Sequence, residues 1–208
     1  MTNSKKVNAA ILIIGNEILS GRTQDTNTST LAVWLNTIGV KVNEVRVIPD
    51  IEKIIVDTLN VLRKSNDYVF TTGGIGPTHD DITAQSVSKA FNLKYEIHKE
   101  AFKILEAYYN PGEFNEGRQK MVKMPKNAEL ILNPTSGAPG FSVDNVFCLP
   151  GVPSILKSML GGLKNRIVGG EPIISHSISL RTVESEIAKN ITEIQNENKD
   201  VEIGSYPF

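Results

Sequence analysis

The chain has 208 residues, 40% of them hydrophobic, enough for one sizeable α/β core with a small appendage and too few for two full domains of ordinary size. Its 22 Lys and Arg against 23 Asp and Glu give a formal net charge of -1, which excludes a broad basic field for nucleic acid or an anionic membrane and leaves only a local basic pocket. The single cysteine, Cys148 in "NVFCLPG", has no internal disulfide partner and reads as a buried small thiol, which suits a reducing cytoplasm.

The first apolar run, Ala9 to Ile14, is short even for a signal peptide and far too short to span a bilayer, so it reads as a buried strand. Two further strand-like runs, "VNEVRVI" and "DYVFTTG", alternate with helical patterns near 27–38, 51–64 and 81–91. That alternation predicts βαβ units and a mostly parallel sheet covered on both faces. Ligands bind such sheets at the carboxyl ends of the strands, so the loops "GNEILSGRTQDTN", "PD" and "GGIGPTHDD" are expected to open on one edge. A mainly helical stretch from His98 to about Met124, broken by "NPGEFNEG", would form a flap over that edge. The chain returns through "AELILNPTSGAPGF" to the apolar strand "NVFCLPG" and a helix opening near Pro153. Near "VGGEP" a boundary separates residues 1–167 from a tail, 168–208, read as a βαβ appendage with strands "IISHSISL" and "VEIGSYPF" around a helix carrying Ile187, Ile191 and Ile194. Such a fragment cannot bury an adequate core alone, so it either packs on the main domain or belongs to a longer chain.

The stretch "TTGGIGPTHDD" poses a charge problem. Thr72, Gly73, Gly74, Gly76, Pro77 and Thr78 make a turn suited to phosphate, with Thr83 adding a hydroxyl, yet Asp80 and Asp81 stand directly behind it. One aspartate is expected to cap the third helix. A divalent cation such as Mg²⁺, held by Asp80, Asp81 and Glu17, would bridge the carboxylates to phosphate. The stretch is not a P-loop, because no Gly-Lys-Ser/Thr ending follows. Asp50 is expected either to cap the helix behind it or to meet the ligand, and Asn27 to cap its own helix or do likewise. Arg118 and Lys120 in "NEGRQKM" have a solvated helix face as their plain role, although a flap bearing two cations would suit phosphates. The three histidines match no zinc-ligand spacing, and no covalent nucleophile emerges.

At "TTGGIGPTHDDIT", "GNEILSGRTQDTN" and "NPTSGAPGF...CLPGVP", which includes Gly151, the chain resembles the molybdopterin-binding-like superfamily of molybdenum cofactor biosynthesis proteins. Within it the chain is most similar to the N-terminal domain of competence/damage-inducible protein A and to the molybdopterin-binding-like domain of FAD synthase. The resemblance covers about Val7 to Leu163, and "ESEIA" and "VEIGSYPF" look like the segment that follows this domain in those relatives. It implies a three-layer α/β/α fold and an oligomer, most simply a dimer. It further implies either metal-dependent hydrolysis of an ADP-ribose- or FAD-like pyrophosphate, with Asp50, Asp80 and Asp81 catalytic, or molybdopterin binding and adenylylation. In the latter branch Asp50 and Asp81 occupy the motif carboxylates, whereas His79 and Asp80 stand where basic residues are common. A noncatalytic nucleotide- or pterin-binding module is the further alternative.

Overall fold

A computed structural model of the chain describes residues 6–172 and 174–207. The chain divides into two compact units, Met1–Ile173 and Ile174–Phe208. The division falls after "VGGEP" rather than before it, because backbone bonds from Gly170 N to Gly39 O and from Val168 N to the Tyr68 hydroxyl tie this stretch to the first unit.

The first unit opens with strand β1 (Val7–Ile14), the short helix α1 (Asn16–Leu19), α2 (Asn27–Thr37), β2 (Val40–Ile48), α3 (Glu52–Ser65), β3 (Tyr68–Thr72) and α4 (Thr83–Ala90). There follow β4 (Tyr95–Ile97), α5 (Lys99–Tyr108), α6 (Glu116–Lys120), β5 (Lys123–Pro125), β6 (Glu129–Ile131), β7 (Gly140–Val143), β8 (Val146–Leu149) and α7 (Pro153–Leu163). The main sheet has the order β2-β1-β3-β8-β7-β6, with parallel pairing from β2 through β8 and antiparallel pairing beyond. β4 and β5 form a separate antiparallel pair.

β1 is buried almost throughout, and its period of two divides the core. Leu12 and Ile14 face Ile55, Leu59 and Leu62 of α3, Val87 of α4 and Leu105 of α5. Ile11 and Ile13 face Leu31 and Leu35 of α2, Phe70, and Leu156, Leu160 and Leu163 of α7. Helices therefore cover both faces of a mostly parallel sheet, which is the three-layer α/β/α architecture. Trp34 belongs to this packing, with its ring edge-on to Phe70 at 6.2 Å. Because the chain winds outward from β1 to β2 and then back to β3, the strand order reverses between β1 and β3, the place where ligands bind such sheets.

In the second unit the expected helix is present as α8 (Glu184–Glu197), which buries no residue. The flanking segments read as strands form no ladder among the described residues; Ile173 and Phe208 lie outside those residues. A strand needs a partner for its N–H and C=O groups. After α8 the Gln195 side chain serves this need instead, donating to Val201 O at 2.7 Å and accepting from Ile203 N at 2.8 Å. No helix among the described residues is long and apolar enough to cross a membrane.

Candidate functional site

The carboxyl ends of β1, β2, β3 and β8 meet at one edge. Gly15 N donates to Ile48 O, and Gly73 N donates to Leu149 O, each at 3.1 Å. The Asn27 amide sits in the middle, donating to the Thr72 hydroxyl and to Gly151 O at 2.8 Å each, while Thr72 in turn donates to Pro150 O. Asn27 thus does more than begin α2: it fastens the end of β3 to the turn after β8. Its Oδ1 is buried without a partner among the described residues.

Gly73 and Gly74 turn the chain sharply with φ of +99° and +69°. A side chain at Gly73 would place its Cβ 2.2 Å from Ile14 O, and one at Gly74 would strike Thr83 Oγ1 at 2.1 Å. Thr83 holds this turn from below, donating its hydroxyl to Gly73 O at 3.0 Å and its N–H to Gly74 O at 2.9 Å. Thr83 is buried and so positions the loop. The N–H groups of Gly74, Ile75 and Gly76 have no hydrogen-bond partner among the described residues. Successive N–H groups left free at such a turn are the kind that can collect an anion.

The aspartates occupy places that local capping rules do not anticipate. α4 has Ile82 at its N-cap and no side-chain cap, so neither Asp80 nor Asp81 caps it. Asp81 instead closes the turn before the helix: its Oδ2 accepts from Thr78 N at 2.8 Å and from the Thr78 hydroxyl at 2.5 Å. Thr78 N–H is therefore engaged within the protein. α3 likewise has Ile51 at its N-cap, and the Asp50 carboxylate reaches across to accept from Asn16 N at 2.9 Å. The nearest helix lost to a more distant N–H because the loops after β1 and β2 lie side by side.

Asp50 feels the charges of Glu17 and Asp80. Partial burial first, and then the negative charges of Glu17 and Asp80, push the Asp50 carboxyl above its ordinary range, against the Asn16 N–H that pulls it down. Asp80 is exposed, and the neighbouring Thr78 hydroxyl and its own backbone, followed by the charges of His79 and Lys120, hold its carboxyl below the ordinary range. Glu17, in the first turn of α1, folds its carboxylate back over Gly15. Among the described residues no three His, Cys, Asp or Glu side chains assemble into a ligand set for a metal ion. Exposed carboxylates beside unpaired N–H groups fit a cation that arrives with a phosphate ligand better than a resident one, since Mg²⁺ typically takes only one or two carboxylates with substrate oxygens.

The flap places its two cations differently from the sequence reading. Arg118 stays within it, with its guanidinium 4.0 Å above the Tyr109 ring and Nη1 donating to Glu113 O. Lys120, expected either on a solvated face or as a flap cation, crosses to donate to Thr78 O. Pro77 lies on the same turn, near Gly117 of α6. No local signal distinguishes Lys120; its role depends on where α6 lands. His98 caps α5 by accepting from Ala101 N at 3.3 Å. Cys148 is fully buried, and burial pushes its thiol up to about 12.

A protein of Archaeoglobus fulgidus is 36% identical over 197 residues, spanning 95% of this chain and 84% of its own length. One from Pyrobaculum calidifontis is 34% identical over 210 residues, spanning 96% and 80%. The crystal structure of the protein CinA, of unknown function, from Thermoplasma acidophilum superposes with a TM-score of 0.71 at 31% identity over 76% of this chain and 98% of that one. The tungsten cofactor synthesizing protein MoaB from Pyrococcus furiosus shares the fold, with a TM-score of 0.51 at 22% identity over 78% of this chain and 92% of that one. Residues 172–208 match the FAD synthase middle domain. Residues 10–189 match the probable molybdopterin binding domain, the domain that carries the switch-point cleft and its glycine turn, and the chain belongs to that family.

Proposed function

We propose that the cleft binds and hydrolyses the pyrophosphate of an ADP-ribose- or FAD-like nucleotide with the help of a divalent cation. One juxtaposition carries the reading: the N–H groups of Gly74, Ile75 and Gly76, unpaired among the described residues, and the Asp50 carboxylate, which feels the charges of Glu17 and Asp80, belong to loops at the same switch-point edge. The N–H groups would orient one phosphate, and the carboxylates would repel a bare anion but welcome one accompanied by a cation. When bound, the cation neutralises charge on the phosphate oxygens and so eases attack by water. Asp50, whose carboxyl is pushed upward, is the best placed of the three to accept the proton from that water, while the bridging oxygen leaves on the second phosphate. Gly151 and Asn27 keep the far wall fixed, and Asp81 fixes the turn on which Asp80 stands.

The test is incubation of the protein with ADP-ribose, FAD and nucleoside diphosphates under Mg²⁺, Mn²⁺ or Co²⁺, followed by product analysis. Metal-dependent release of two monophosphates from ADP-ribose or FAD is the expected result. One observation favours a second reading, a noncatalytic nucleotide- or pterin-binding module: no three metal-ligating side chains are preassembled among the described residues. Saturable binding without products under every metal would establish that reading over hydrolysis. Formation of an adenylylated pterin would point to adenylyltransfer.

A further inference from the structure

The cleft has a cation of its own, delivered by the flap. Lys120 ends α6 and donates to Thr78 O, 42 residues away in sequence. α6 lies against this turn: a Cβ added at Gly117 would come 3.7 Å from Pro77 O. Lys120, Met121 and Lys123 line, with Gly76 and Asp81, a small, partly open hollow of about 10 Å³, room for about one water. The partner of Lys120, however, is a neutral carbonyl, whereas an ammonium bonds more strongly to an anion. A flexible four-carbon stem lets that ammonium change partners without moving the helix. Arg118 is already fixed over Tyr109 and against Glu113, so Lys120 has no competitor within α6.

We infer that Lys120 is an exchangeable counter-cation, its ammonium passing between the Thr78 carbonyl and a phosphate oxygen of a bound nucleoside diphosphate-like anion. This rests on the reading of the cleft as an anhydride site. Lys120 thereby links ligand entry to the flap, and in the exchange it exposes Thr78 O and the carboxylates beside it to the cation that accompanies the ligand. Its charge already reaches Asp80.

The experiment compares the full chain with Lys120→Gln and Lys120→Arg. Calorimetric titration with inorganic pyrophosphate and with ADP, each in Mg²⁺, is expected to show at least about tenfold weaker binding for Lys120→Gln, the loss of one charged hydrogen bond, and at most about threefold for Lys120→Arg. Titration with Mn²⁺ alone, followed by its electron paramagnetic resonance, is expected to show tighter binding for Lys120→Gln, because a positive charge beside Asp80 is gone. Pyrophosphate and ADP affinities unchanged in Lys120→Gln would overturn the inference and leave the anhydride reading intact. A parent protein that binds neither ligand under any metal would overturn both. A melting temperature lowered in both variants together with weakened binding would mean that Lys120 serves only as a strut to Thr78, and would overturn the inference as well.

Discussion

At the scale of single residues, the two adjacent aspartates separate into different tasks. Asp81 accepts two hydrogen bonds from Thr78, whereas Asp80 is exposed at the cleft. Asp81→Asn is therefore expected to lower stability by about 1 to 3 kcal/mol, the range for weakening hydrogen bonds to a charged acceptor, read as a drop in melting temperature. Asp80→Asn should leave the melting temperature unchanged and cut metal-dependent turnover at least about tenfold, a loss comparable to removing one electrostatic contact in a transition state. Asp50 gives a pH signature. Because its carboxyl is raised from the ordinary 3.8, the folded protein holds this proton to higher pH than the unfolded chain does. Its contribution to stability accordingly falls as pH rises from the ordinary value through the folded one. Asp50→Asn, which can still accept from Asn16 N, should flatten that slope and raise stability at neutral pH. Carboxyl ¹³C titration should also show the Asp50 midpoint move down in Glu17→Gln and in Asp80→Asn, since each removes a neighbouring charge. These roles were only partly legible in the sequence. The glycine turn announced itself through composition, but the capping partners of Asp50 and Asp81 did not, because a local rule points to the next helix and the nearest free N–H lay elsewhere.

At the scale of elements, the βαβ units were readable because their strands are continuous apolar runs and their helices carry a period of 3.6, as in α3, where Ile55, Leu59 and Leu62 are buried. β4 and β5 escaped notice because each is three residues long, and "KMP" shows no period at all. The tail segments show the converse error: "IISHSISL" has strand composition, yet β-structure exists only where a ladder partner is supplied. Gly73, in the turn from β3 toward α4, and Gly21, in the loop after α1, offer a sharp comparison. Gly73→Ala must accept a positive φ and a Cβ 2.2 Å from Ile14 O, whereas Gly21, at φ +70°, has nothing within 4 Å. Gly21→Ala is expected to lower stability by about 1 kcal/mol and Gly73→Ala by more than about 3, with denaturant titration as the measurement.

At the scale of the whole molecule, both buried clusters lie between elements of the first unit, and α8 buries no residue. A chain ending at Ile173 is therefore expected to unfold in one cooperative step near the parent melting temperature, as followed by circular dichroism. The expected dimer would show in light scattering across a wide concentration range as a mass twice that of the chain, and a monomer's mass throughout would refute it. The sheet also contains its own reporter of global opening. Cys148 sits on β8 between β3 and β7, fully buried, with its thiol pushed up to about 12. Neither thiolate nor access exists while those strands stay paired. A colorimetric thiol reagent should thus react only during excursions that part the middle of the sheet, and its rate should follow denaturant and temperature as unfolding does. The single thiol makes the protein a clock for its own unfolding, and it leaves a cysteine introduced on the exposed flap free to take a label selectively.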